Sequence, residues 1–214
     1  MEFTSQPKRV LPLILLADTS SSMNSCIGEL NTAIRDMLGT LKEQESLKAE
    51  IYISFITFGK GGANLHTALT PVSDIEFNDF TVGGLTPLGG ALRIAKDMIE
   101  NREIIKSKSY TPIILLLSDG APNDNGWENE MHRFINDGRS QKCMGIGRDY
   151  DYDVLKRFSS SGEVYEAKDS TNIIDFFKFM TMTIKEKTLS TDFNATDFIK
   201  GINEDYKKIV KDRN

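Results

Sequence analysis

"VLPLILLADTSSS", residues 10–22, is the stretch that decides how this chain folds. Residues 10–17 are apolar without interruption, which is the pattern of a central strand of a parallel sheet, covered on both faces, and not of a half-exposed strand that alternates. The run is too short for a membrane span, which takes about 20 residues, and no small-residue cleavage site follows it, so it does not read as a signal peptide. It ends abruptly in Asp18, Thr19, Ser20, Ser21 and Ser22. A carboxylate and a cluster of hydroxyls therefore stand where a buried strand stops.

The rest of the chain alternates around this strand. Residues 27–41 place Ile27, Leu30, Ile34, Met37, Leu38 and Leu41 at helical spacing. "IYISFITF", 51–58, is β-branched and aromatic and reads as a strand. The glycines of "GKGGAN" predict a turn into a short edge strand over 64–70, a hairpin partner of 51–58. A phosphate-binding loop is excluded there because the G-x-x-x-x-G-K-[ST] spacing is missing. Further helices are predicted over 88–105, 127–136, 152–158 and 173–186, and further strands over 111–118, 142–146 and 163–166. Strands separated by single helices mean βαβ crossovers, hence an α/β fold with a mostly parallel sheet and helices on both faces. No internal repeat or linker divides the middle of the 214 residues, so one domain over 10–187 is expected, preceded by an extension over 1–9. From 188 the chain turns polar and lysine-rich, and Phe198, Ile202, Tyr206 and Ile209 recur at helical spacing, which predicts a C-terminal helix packed on the domain or on a partner.

Composition narrows the function. A net charge of −5 and a pI near 5.2 disfavour binding to phosphate backbones, so no nucleic-acid partner is expected. Cys26 and Cys143 form no CxxC pair and have no histidines at metal spacing, which reads as thiols in a reducing compartment and makes the cytoplasm the expected location. His66 and His132 have no partner at motif spacing. Asp149, Asp151 and Asp153 alternate, but a calcium loop starting at Asp149 would need glycine and glutamate where Val154 and Ser160 stand, so Asp149 or Asp151 is read as a helix cap.

In an open parallel sheet, ligands bind outside the carboxyl ends of the strands where strand order reverses. Two strands here deliver polar groups to such a crevice. The first brings Asp18, Ser20 and Ser22; "IILLLSDG" brings Asp119 before a glycine, and "GGLTPLGGAL" between them brings Thr86 ahead of a helix. All five are oxygen donors, a set suited to Mg²⁺, Mn²⁺ or Ca²⁺ over softer metals. Asp18, Ser20 and Ser22 alternate, so in an extended segment they would project to one side. Blander readings stay open beside this one: Asp18 or the serines as caps of the first helix, Thr86 as N-cap with Pro87 at the first helical position, and Asp119–Gly120 as an ordinary turn. Asn123 and Asp124 would lie at the rim, tuning the ligand or shaping the loop.

D-T-S-S-S at 18–22, Thr86 and D-G at 119–120 together resemble the metal-ion-dependent adhesion site of von Willebrand factor A domains, whose first part is written D-x-S-x-S. The order along the chain agrees, and "CMGIGRDYDYDVLKRFSSSGEVYEAKDSTNIIDFF", 143–177, resembles the family's later strands and helices. The resemblance implies a doubly wound, Rossmann-like six-stranded sheet of order 3-2-1-4-5-6 with strand 3 antiparallel at the edge. It implies that Ser20 and Ser22 coordinate a metal through their hydroxyls, that Thr86 does so when ligand is bound, and that Asp18 and Asp119 act directly or through water. A partner protein's Asp or Glu would supply the remaining ligand, in a binding module and not an enzyme. More narrowly, "LPLILLADTSSSM", "GGLTPLGGAL" and "LLSDGAPNDNGW" are similar to the small cytoplasmic bacterial proteins of this family of the tellurium-resistance type, which implies an adaptor in a stress-response circuit with kinase or phosphatase components. Two other functions compete. A Mg²⁺-dependent phosphoryl-transfer enzyme would want a second carboxylate where Ser20 stands and a base for any serine nucleophile, and no motif supplies either. A metal-independent scaffold would leave the five-oxygen set without a purpose.

Overall fold

The computed structural model describes residues 8–43, 49–119, 121–135, 140–146, 150–167 and 170–189. Along the chain these form β1 (Arg9–Thr19), α1 (Ile27–Lys42), β2 (Ala49–Gly59), β3 (Gly62–Pro71), α2 (Leu88–Glu100), β4 (Ile113–Ser118), α3 (Trp127–Ile135), β5 (Ser140–Ile146), α4 (Tyr152–Phe158), β6 (Tyr165–Ala167) and α5 (Ser170–Leu189). The six strands make one sheet of order β3-β2-β1-β4-β5-β6. All neighbours run parallel except β3, which pairs antiparallel with β2 at the edge. The doubly wound α/β sheet expected from the sequence is thus present, with its strand order and its antiparallel edge.

The unbroken apolar run of β1 has a direct cause. Leu11, Leu13, Leu15 and Ala17 pack into one core with α1 and α5, while Ile14 and Leu16 pack into a second core with α2, α3 and α4. β4 divides in the same way, with Ile113, Leu115 and Leu117 on one side and Ile114 and Leu116 on the other. With helices on both faces, Leu11 to Thr19 of β1 and all of β4 are buried, so period-two alternation has no polar face to report.

The hairpin is tight: Gly59 pairs with Gly62, and Gly61 between them takes a φ of 79°, a conformation that costs a side chain-bearing residue energy. β3 runs longer than the 64–70 expected, and its pairing with β2 carries register irregularities around Phe55.

The helix expected over 88–105 ends at Glu100. Asn101 leaves helical geometry at ψ 109° and its side-chain oxygen accepts from the Glu103 amide. A separate turn then returns Ile105 to the second core, where it is buried, so its apolar character continues the helical spacing although the helix does not. β6 lies at Tyr165–Ala167 instead of 163–166, and α5 extends beyond 173–186 at both ends. Asp151 caps α4 by accepting from the Val154 amide, as expected of one of the two aspartates. Asp149, Gly120, residues 1–7 of the extension and the predicted C-terminal helix lie outside the described residues, and Arg9, placed in the extension, opens β1.

Candidate metal centre

β1 and β4 are neighbours at the centre of the sheet, with Leu13 to Ala17 in register with Ile113 to Leu117. Their carboxyl ends therefore open side by side, which brings Asp18 next to Ser118 and Asp119. The Ser118 hydroxyl donates to Asp18 Oδ2 at 2.6 Å, and the Ser20 amide donates to Asp18 Oδ1 at 2.8 Å. Asp18 is fully buried. The Ser20 and Ser22 hydroxyls lie 3.0 Å apart, and Ser22 Oγ donates to Asp119 Oδ1 at 2.9 Å. Asp18, Ser20, Ser22 and Asp119 are thus one hydrogen-bonded cluster assembled from two distant stretches.

The convergence has a different cause from the extended segment expected. β1 stops at Thr19, and Ser21–Ser25 form a 3-10 turn. That turn, and not strand alternation, brings the Ser22 hydroxyl back over Ser20. Ser20 stands at the N-cap of this turn without a side-chain cap bond, and α1 begins only at Ile27. The reading of Asp18 and the serines as caps of the first helix is therefore not what the structure shows.

Thr86 reaches the same end of the sheet on a segment without regular structure that runs from Ile75 to Pro87. Three sets of contacts tie it down. On α1, buried Asn31 makes a two-way clamp on Phe80, its amide donating to the Phe80 carbonyl at 3.0 Å and its oxygen accepting from the Phe80 amide at 2.9 Å. Nearer the cluster, Gly83 N donates to the Thr19 carbonyl at 2.8 Å and Ser21 N to the Gly84 carbonyl at 3.2 Å. Gly84 has a φ of 75°, and a Cβ there would stand 3.0 Å from the Lys60 Cα, so the hairpin leaves room only for glycine. Last, Asn123 Oδ1 accepts from the Thr86 amide at 2.9 Å while Asn123 N donates to the Thr86 carbonyl at 3.1 Å. Thr86 is buried, and its backbone is locked to the same loop that carries Asp119. Hydrogen bonds of their side chains join Asp18, Ser20, Ser22 and Asp119; Thr86 is held beside them through its backbone.

Thr86 is not the N-cap of α2. Pro87 occupies that position, Leu88 is the first helical residue and no side chain of the segment itself caps the helix. Asp124 does so from the loop after β4: its carboxylate accepts from Gly89 N at 3.2 Å and Gly90 N at 3.1 Å. Asn123 and Asp124 therefore shape the loops. Ser118 and Asn31, two further polar residues that hold the site, were not picked out from the sequence. Each had a weak signal, a serine closing an apolar strand and an asparagine on the inward stripe of α1.

The electrostatics of the cluster are unbalanced. Burial pushes the Asp18 carboxyl above its usual range, against the hydrogen bonds from Ser118 and Ser20 that favour the charged form, and the nearby Asp119 charge adds to the rise. Burial also raises Asp119, opposed by the bond from Ser22. Among the described residues no lysine, arginine or histidine forms an ion pair with either carboxylate. Buried carboxylates are ordinarily paired or bound to metal. The donors gathered here are hydroxyls and carboxylates, and among the described residues no group of three or more His, Cys, Asp or Glu side chains offers an alternative centre. A hard divalent cation fits this set by charge and by donor chemistry.

Comparison with known proteins agrees with this fold. The profile of the von Willebrand factor type A domain matches residues 13–121, which contain all five candidate residues. No curated protein matches the chain. Among solved structures, the pilus adhesin SpaC of Lactobacillus rhamnosus GG in its open conformation superimposes with a TM-score of 0.69 at 15% identity, over 86% of this chain and 31% of that one. A von Willebrand factor type A protein from Catenulispora acidiphila gives 0.64 at 17% identity, over 83% and 43%. Proximal thread matrix protein 1 of the mussel byssus, with zinc in its MIDAS motif, gives 0.62 at 17%, over 83% and 48%. The chain spans less than half the length of each of these three proteins, and at such identities the likeness is one of fold. Domains of this kind are often metal-dependent protein-interaction modules. From the matched profile over half of its residues, the chain belongs to the von Willebrand factor type A domain family.

Proposed function

We propose that the protein is a divalent-cation-dependent binding module that recognises an acidic side chain of a partner protein. Asp18, Ser20, Ser22, Thr86 and Asp119 would hold Mg²⁺, or Mn²⁺ or Ca²⁺, and the cation would accept a carboxylate oxygen from the partner's Asp or Glu. The observation that carries this reading is the carboxylate pair of fully buried Asp18 and half-buried Asp119, gathered with the Ser20 and Ser22 hydroxyls, which no lysine, arginine or histidine among the described residues meets in an ion pair. Ser118 and the Ser20 amide orient Asp18, and Asn123 fixes Thr86 relative to Asp119. A catalytic reading has less support, because among the described residues the hydrogen bonds of the cluster run among serines and aspartates, with no histidine or lysine that could move a proton. The narrower sequence resemblance supports a cytoplasmic adaptor role with a kinase or phosphatase component as partner.

Thermal melts in EDTA and in millimolar Mg²⁺, Mn²⁺, Ca²⁺ and Zn²⁺ test the site. A cation held at 100 times its Kd stabilises the folded state by about 2.7 kcal/mol, so the melting point should rise with the metal bound and the rise should vanish in Asp119→Ala. Melts that coincide with and without metal, or a rise that survives Asp119→Ala, would overturn the proposal. Capture of native partners with and without chelator then reads the recognition step.

A further inference from the structure

A second surface lies away from the cluster, along the seam between α1 and α5. A groove of about 540 Å³ runs there, with Ala33, Met37 and Gly39 on one wall and Ile174, Phe177 and Met182 on the other. Two features mark it as a seat for another element. Met182 is 60% exposed although it sits on a helix that is otherwise buried on several sides. Gly39 lies inside α1, where glycine costs roughly 0.5–1 kcal/mol relative to alanine, yet no atom lies within 4 Å of the place a Cβ would take. Nothing in the described packing accounts for that glycine, and a flat spot on a helix is what lets a second helix come close.

We propose that this groove receives residues 198–210 of the same chain as an amphipathic helix. At 100° per residue, Phe198, Ile199, Ile202, Tyr206, Ile209 and Val210 all fall within an arc of about 120°, and every charged residue of 198–211 falls outside it. The dimensions agree. Thirteen residues of helix span about 20 Å, and the groove's α5 wall, from Ile174 to Lys185, spans about 17 Å. Described chain leaves α5 at Leu189, and residues 190–197 reach up to about 27 Å when extended, enough to fold the segment back along α5. Lys178 and Lys185 stand on the α5 side of the groove and Asp36 and Glu43 on the α1 side. On the helix Asp205 borders one edge of the apolar arc, with Lys208 farther round on that side, and Lys207 and Lys200 lie nearest the other edge, so one orientation sets Asp205 toward the lysines of α5 and Lys200 and Lys207 toward Asp36 and Glu43. This inference does not depend on the metal site.

The test uses the full chain, read by trypsin cleavage at Lys200, Lys207 and Lys208 and by oxidative footprinting of Met182. Residues 190–197 contain no lysine or arginine, so cleavage reports the segment itself. In the double variant Ile202→Asp with Tyr206→Asp, both rates should rise about tenfold, the release of a docked state populated ten to one. Gly39→Gln should raise the cleavage rates as well, by filling the seat from the other side; open space around Gly39 leaves the fold intact, which an unchanged far-ultraviolet spectrum checks. Rates equal in all three proteins would overturn the proposal. Protection that fades on dilution would place the segment on a second copy and overturn it too.

Discussion

Asp124 does at a distance what a helix usually does with its own first residues. Its carboxylate accepts from two amides at the start of α2, and Gly89 is required there because a Cβ would lie 2.7 Å from that carboxylate and 2.9 Å from the Trp127 Cα. Asp124→Ala should therefore cost about 1–2 kcal/mol, the range for a lost charged cap, as read by urea unfolding, while Asp124→Asn should retain most of it. His66 is the other residue whose setting makes a number move. Its ring meets Phe80 edge-on at 4.8 Å, and burial holds its pKa below the ordinary 6.5. Below pH 6.5 the unfolded chain therefore binds more protons at this residue than the folded one, so stability is complete above 6.5 and is lost as pH falls toward the folded pKa. His66→Gln should flatten the melting temperature between about pH 5 and 6.5 relative to the parent; an unchanged slope would mean that other groups dominate it.

Among the elements, the irregular segment from Ile75 to Pro87 matters most to the site, because it carries Thr86 with no ladder or helix of its own. Its buried backbone bonds go to a side chain, Asn31 on α1. Asn31→Leu keeps the volume but orphans both the amide and the carbonyl of Phe80. A cost of about 3 kcal/mol is expected from two unsatisfied buried groups. Amides 79–84 should lose hydrogen-exchange protection ahead of the sheet, and a uniform loss across the molecule would argue that the clamp is not local. This segment also marks where reading from sequence stopped. The strands and long helices were legible because burial writes a period into them, two faces for α1 and unbroken apolar runs for β1 and β4. Contacts of the loops leave no period. Asn123, Asp124, Ser118 and Asn31 act on partners at the end of other elements, and only the folded geometry tells which. The misplaced end of α2 has the same origin, since Ile105 is apolar for the second core and not for the helix.

At the scale of the whole molecule, the site sits where two parallel strands part at the middle of the sheet, between two separate cores. Five oxygen donors in three stretches could be picked out because their residue types were unusual at strand ends and their order resembled a known pattern. That Ser22 returns through a 3-10 turn, and that Thr86 is held by its backbone, were not visible without the fold. The opposite border of the sheet has a consequence of its own. β3 spans Gly62–Pro71 without a single Asp, Glu, Lys or Arg, and Leu65 on it is 47% exposed. A border strand with no charge, blunted here by the irregular pairing with β2 and by Pro71 at the strand's end, is a template onto which a like strand can add. Self-association should therefore set the upper concentration at which this protein stays dispersed. Leu65→Lys should raise that ceiling by light scattering while leaving the melting temperature in place.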